Sequence, residues 1–199
     1  MAERETSDGR RLRRKQNREA ALEALAELFE EGVYQPGASL IAERAGLSPR
    51  SLFRYFDDID ELSRAAIEHQ LERARPLLEL DIAPELPVAD KIELFVEARA
   101  RLHEASAPAA RAARVTAHLR PHVAAQVKEA RALLRRQVRE TFGSELTGDR
   151  AALLPAIDAL CSFETYELLR HDQGLPRTRA VAALSAALHA LLGTDGGRR

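Results

Sequence analysis

Ser39-Leu40-Ile41-Ala42-Glu43-Arg44-Ala45-Gly46-Leu47-Ser48-Pro49-Arg50-Ser51-Leu52-Phe53-Arg54-Tyr55-Phe56 spells two short helices joined by a glycine turn. Leu40, Ile41 and Ala45 fall at helical spacing, and Gly46 stands where the chain must leave the first helix through a left-handed conformation that glycine adopts cheaply. Ser48 is placed to cap the second helix, and Pro49 takes its first position, where a missing N–H costs nothing. Leu52, with Phe53 or Phe56, faces inward, which turns Pro49, Arg50, Ser51, Arg54 and Tyr55 outward. A helix of this width fits the major groove of B-DNA, where arginine meets both guanine acceptors and serine or tyrosine reaches bases or phosphates. The competing reading is an ordinary helical hairpin with a solvated arginine face.

The flank on the N-terminal side favours the DNA reading. Gly9 to Arg18 carries Arg10, Arg11, Arg13, Arg14, Lys15 and Arg18 without an acid, on a chain whose formal net charge is only -1. A localised cationic patch there would displace counterions from a nucleic-acid backbone, whereas a solvated tail or the polar start of a helix is the plainer alternative. Together with Ser48, Pro49, Arg50, Ser51, Phe53, Arg54 and Tyr55, these six cations make the expected DNA-binding set. A first helix is expected from about Arg11 to Glu31, with Ala21, Leu22, Leu25, Leu28 and Phe29 as its apolar stripe. Beyond Phe56, Asp58 and Glu61 form a capping-box-like start for a longer helix toward Pro76.

Composition bounds the rest. The chain has 199 residues, 45% hydrophobic and 31% charged, with no tryptophan, which suits a helical protein with charged surfaces. No alternating strand pattern or hairpin turn stands out. The single cysteine, Cys161, excludes an internal disulfide and reads as a small buried apolar residue, so a cytoplasmic location is expected. The charged N-terminus lacks a secretory pattern, and the longest apolar run, Ala180 to Leu192, is interrupted by Ser185 and His189, so no membrane association is expected. No phosphate loop or nucleophile elbow is present, so neither catalytic residues nor a cofactor are expected. His118 and His122 have metal-ligand spacing, but Pro121 between them breaks the helix this would need, so no metal site is expected.

The expected plan is all-α, about nine helices: a disordered tail over 1–9, a helix-turn-helix domain over 10–58, a helical effector-binding and dimerisation domain over 59–193, and a flexible tail over 194–199. Within the larger domain, helices are expected over Asp90 to Ala105, in a shorter piece bracketed by Pro108 and Pro121, and over His122 to Phe142, Asp149 to His171 and Pro176 to Leu192. Leu153, Ile157, Leu160, Val181, Leu184, Ala187, Leu188 and Leu191 give the last two helices broad apolar faces, which either form a twofold dimer interface or finish the monomer's own core. Phe95, Arg99, His103, His118, Phe163 and Tyr166 are the candidates for an effector site with apolar walls and a few polar handles, though each also suits core or surface.

Arg18 to Leu62 resembles the TetR family of bacterial transcription regulators, through Leu28-Phe29, Gly32, Ile41-Ala42-Glu43-Arg44-Ala45-Gly46-Leu47-Ser48, Ser51-Leu52-Phe53-Arg54-Tyr55-Phe56 and Leu62. Phe163-Glu164-Thr165-Tyr166-Glu167-Leu168-Leu169 is similar to the penultimate helix of many members. The resemblance implies a homodimeric, ligand-responsive repressor that reads an inverted-repeat operator on double-stranded DNA and binds a small-molecule effector in its C-terminal body. Ser48, Pro49, Arg50, Ser51, Phe53 and Tyr55 match the recognition-helix positions. The sequence departs from the family at Pro36-Gly37-Ala38, where a capping threonine is frequent, at Phe53 for a frequent tyrosine, and at Ile59 for a frequent lysine. Asp57, Asp58 and Asp60 lie beside that last position and support the alternative of a helical ligand-binding or scaffold protein whose head does not read DNA.

Overall fold

The computed structural model describes residues 2–193, and side chains for residue 9 and residues 11–193. The expected flexible tail over 194–199 and the side chain of Arg10 lie outside the described residues. Those residues form nine α-helices with short 3-10 and π segments and no strand. The helices are α1 (Ala2–Glu30), α2 (Ala38–Arg44), α3 (Pro49–Leu52), α4 (Ile59–Ala74), α5 (Val88–Ala117), α6 (Pro121–Phe142), α7 (Leu154–Leu160), α8 (Phe163–Glu167) and α9 (Arg177–Leu192).

The chain divides into two compact units, one of residues up to 73 with 106–124, the other of 74–105 with residues from 125 onward. In the first, Ala21, Leu22, Leu25, Leu28 and Phe29 of α1 are all buried, as the helical spacing of the stripe requires, together with Ile41, Leu52, Phe56 and Leu62. The unit extends past the functional division expected at residue 58, because α4 belongs to it and buries Ala66 and Ile67 besides Leu62. In the second, Phe95, Val96, Val138, Phe142, Ile157, Tyr166, Leu184 and Leu188 belong to one apolar cluster, with Phe95 and Phe142 edge to face at 5.2 Å between centroids.

Three local expectations give way. Helix α1 starts at Ala2, so residues 2–9, expected as a disordered tail, are helical. Ala, Glu and Arg are strong helix formers, and no proline interrupts the run before Pro36. Helix α5 runs through Pro108 instead of ending before it. The ring removes one backbone hydrogen bond, but Ala105, Ala107, Ala109 and Ala110 around it spare the helix further side-chain crowding.

The single helix expected over Asp149 to His171 is a chain of pieces: a 3-10 turn (Gly148–Leu153), α7, α8 and a π turn (Leu168–Asp172). Ser162 causes the central break, with an extended backbone and a hydroxyl that accepts from the Thr165 N–H, so helix geometry restarts behind it. Gly143, just past α6, is needed for close approach: a Cβ there would lie 2.7 Å from the Arg139 carbonyl oxygen.

Candidate nucleic-acid interface

The turn between α2 and α3 follows the sequence closely. Gly46 has φ +66°, and its N–H donates to the Glu43 carbonyl while the Leu47 N–H reaches back to Ala42, so the last carbonyls of α2 are satisfied. Ser48 is the N-cap of α3: its hydroxyl accepts from the Ser51 N–H at 3.1 Å and lies 2.9 Å from the Ser51 hydroxyl. Pro49 follows at the first position. The helix is short, and Arg54 and Tyr55 close it with tighter bonds to the Ser51 and Leu52 carbonyls.

Burial settles which aromatic faces inward. Phe56 is 2% exposed and Leu52 fully buried, whereas Phe53 is 47% exposed and stands on the outer side with Pro49, Arg50 and Arg54. Arg50 and Arg54 pair with no acid among the described residues, so their guanidinium donors face solvent. Tyr55 is half-buried, and its hydroxyl accepts from the Asn17 side chain of α1 at 3.0 Å. Asn17 escaped the sequence reading, although a signal was there: it lies one turn before Ala21 on the apolar stripe, where a polar side chain needs a specific partner.

On α1, Arg11, Arg13, Arg14, Lys15 and Arg18 are exposed. The Arg18 guanidinium lies 5.1 Å from the centroid of Phe56, so this cation is stacked against the end of the helix-turn-helix segment. Arg44 at the end of α2 makes two bonds, 2.8 and 3.0 Å, to the Glu31 carboxylate, and its hydrogen bonding holds that carboxyl below its ordinary value. The head is therefore joined internally: Asn17 and Arg18 of α1 meet the turn after α3, and Glu31 just past α1 meets the end of α2.

Asp58 and Asp60, beside this surface, have structural partners for their carboxylates. The Glu61 N–H donates to Asp58 at 2.7 Å, and the Glu61 carboxylate accepts from the Asp57 N–H at 2.5 Å, a capping arrangement displaced by one residue from the expected reciprocal pair. Asp60 pairs with Arg120 at 2.6 Å.

The effector candidates separate. Phe95, Arg99, His103, Phe163 and Tyr166 are buried in the second unit. His103 lies 5.8 Å from the ring of Phe163 and 5.6 Å from that of Tyr166, with its Nε2 2.9 Å from the Cys161 carbonyl oxygen. The Tyr166 hydroxyl donates to Glu104 at 2.9 Å, and burial together with that carboxylate pushes the phenol up to about 12. His118 is exposed in the other unit and does not join them.

Of the residues expected either at a dimer face or in the monomer's own core, Ile157, Leu184 and Leu188 belong to the core of their own unit, and Leu153, Leu160, Val181 and Leu191 are half-buried against it. Ala187 is half-buried as well, and the exposed side of α9 is instead Ala182, Ala183, Ala186 and Ala190. A period of 3.6 residues shows that an apolar face exists but not which of two apolar faces a helix turns inward.

Comparison with known proteins agrees with this geometry. Residues 21–66 match the family of bacterial regulatory proteins, tetR family. Over those residues, which hold the helix-turn-helix segment, the chain is similar to that family's N-terminal domain. A solved transcriptional regulator from Rhodococcus sp. Rha1 is similar over 92% of this chain and 99% of its own, with TM-score 0.71 and 17% identity. A TetR-family structure from Rhodococcus sp. gives TM-score 0.67 and 16% identity over 88% of this chain and 98% of its own. A regulator of the TerR/AcrR family from Aquifex aeolicus VF5 gives 0.61 and 20% over 88% and 99%. At these identities the likeness carries the fold. No curated protein matches the chain.

Proposed function

We propose that the chain is a ligand-responsive transcriptional repressor that binds an inverted-repeat operator as a homodimer. The observation that carries this reading is the outward set of Arg50 on α3 with Phe53 and Arg54 in the turn that follows it, with no acidic partner among the described residues and braced from α1 through Asn17 and Tyr55. Arg50 and Ser51 would discriminate base edges in the major groove and Phe53 would meet thymine methyls, while the α1 cations and Arg18 contact phosphates. Tyr55, tied by Asn17, would donate its own proton to a phosphate oxygen.

Two copies are needed for a symmetric operator, and the exposed alanines of α9 support that part of the reading. Ala182, Ala183, Ala186 and Ala190 allow two helix backbones to approach closely about a twofold axis. An effector held by the body would then release DNA only by binding one head arrangement better than the other.

The alternative of a head that ignores DNA rests on Asp57, Asp58 and Asp60. The Asp58 carboxylate is engaged in capping α4 and that of Asp60 by Arg120, so these two acids have a structural reason to be there, while Asp57 takes part only through its backbone N–H. Selection of bound duplexes from a random-sequence pool tests the proposal. Enrichment of a twofold-symmetric sequence is expected, and salt-sensitive binding with no sequence enriched would sink it.

A further inference from the structure

Among the described residues of the second unit, Lys91 and Arg99 are enclosed, and only Lys91 is seen with an anion. Lys91, 1% exposed, lies 3.0 Å from the Glu145 carboxylate. Arg99, 2% exposed, has none. Its Nη1 donates to the Gln137 side-chain oxygen at 2.8 Å and its Nη2 to the Leu134 carbonyl at 2.9 Å, while the guanidinium carbon lies over the Phe95 ring, 4.6 Å from its centroid. The Nε–H is buried without a partner.

The support is built rather than accidental. Gln137 donates its own amide to the Leu78 carbonyl at 2.6 Å, which fixes its oxygen toward Arg99. The nearby Asp158, whose field reaches Arg99, is engaged by Arg135 at 2.9 Å. Burial accordingly lowers the guanidinium to about 10. Phe95 and Cys161 lie beside it, and both belong to the apolar cluster of this unit. An enclosed cation held only by neutral groups is costly, and the group that matches its planar donor fork is a carboxylate.

We infer that Arg99 is the anchor of the effector, and that the effector is a small molecule carrying one carboxylate on an apolar skeleton. This deepens the regulator reading and rests on it. One cation in an apolar surround favours a single negative charge over a phosphate dianion. Because Arg99 is enclosed here, a carboxylate reaches it only after the surrounding side chains rearrange. A ligand that binds the rearranged body and not the closed one has the difference in affinity that a switch requires.

The test uses the full chain in thermal unfolding with hexanoate, octanoate, decanoate, benzoate and phenylacetate as probes, each beside its neutral amide. Carboxylates are expected to raise Tm by about 3 to 6 °C at ten times Kd, with the amides silent and R99M unresponsive. The inference is overturned if no carboxylate moves the wild type, if amides act equally, or if R99M responds as the wild type does. If R99M does not fold, R99K decides: it keeps the charge and loses the fork, so at least a tenfold weaker response is expected, and an unchanged one overturns the assignment. Retention of the same protein on duplex DNA separates the two claims. Retention without a carboxylate response overturns the anchor alone, and a carboxylate response without retention overturns the regulator alone.

Discussion

Two side chains show how burial and partnership decide what a charge does. Arg50 is exposed with no described acidic partner, so its donors are available to a nucleic acid. R50A is expected to weaken binding to the selected operator by about 1 to 3 kcal/mol and to relax the base preference at one position per half-site. Fluorescence anisotropy on cognate and scrambled duplexes checks this, and an equal loss on both would place Arg50 on phosphate. Lys91 is the opposite case, enclosed and paired. Burial raises the Glu145 carboxyl, but the Ser144 hydroxyl and the Lys91 ammonium outweigh it, so the folded value lies below the ordinary 4.5. A depressed carboxyl stabilises the fold above its unfolded value and loses that contribution as pH falls through the folded one. E145Q is therefore expected to unfold at a lower temperature than the wild type at neutral pH, and the gap to close as pH drops below about 4.5. A constant gap down to pH ~3 would contradict this account. At this scale the sequence disclosed residue chemistry and not company: Arg50 and Arg99 look alike as letters, and only the fold shows that one meets solvent and the other Phe95 and Gln137.

Elements with strong punctuation were legible. Gly46, Ser48 and Pro49 stop one helix and start the next within three residues, and the caps are made as the residue types demand. G46A is expected to cost about 1 to 2 kcal/mol in chemical denaturation, purely from the left-handed backbone, since an added Cβ meets nothing within 4 Å. A loss well above that would mean the turn moves as a whole. Elements whose boundaries depend on a competition were not legible. Pro108 argues for a break and its alanine neighbours against one, and the helix wins. Ser162 lies inside an apolar period that continues on both sides, and its hydroxyl cap breaks the helix despite that period. The Ser-x-x-Thr spacing carried this information, but hydrophobic periodicity is blind to it.

For the whole molecule, the fold class and the helix-turn-helix segment were readable because they follow from local signals, whereas the side of α9 that turns inward was not. Both sides of α9 are apolar, and only the packing shows that Leu184 and Leu188 turn inward while the alanines turn out. A186E is expected to shift the chain toward monomer in light scattering and to weaken operator binding without lowering the helix content. A dimer unaffected by this charge would place the interface elsewhere. Deleting residues 1–15 removes Arg11, Arg13, Arg14 and Lys15 with the rest of the arm, so affinity for every duplex is expected to fall. The slope of log affinity against log salt is expected to flatten by about 0.9 for each phosphate that the shortened chain no longer neutralises, and an unchanged slope would exclude the arm from the backbone. The lone thiol offers a last consequence. Cys161 is 4% exposed, and burial pushes it up to about 12, so in the closed body it is inert toward thiol reagents. Its labelling rate by a chromogenic disulfide is thus a native clock for breathing of the core beside Arg99, and a fluorophore tethered to an engineered surface cysteine would report from a silent background.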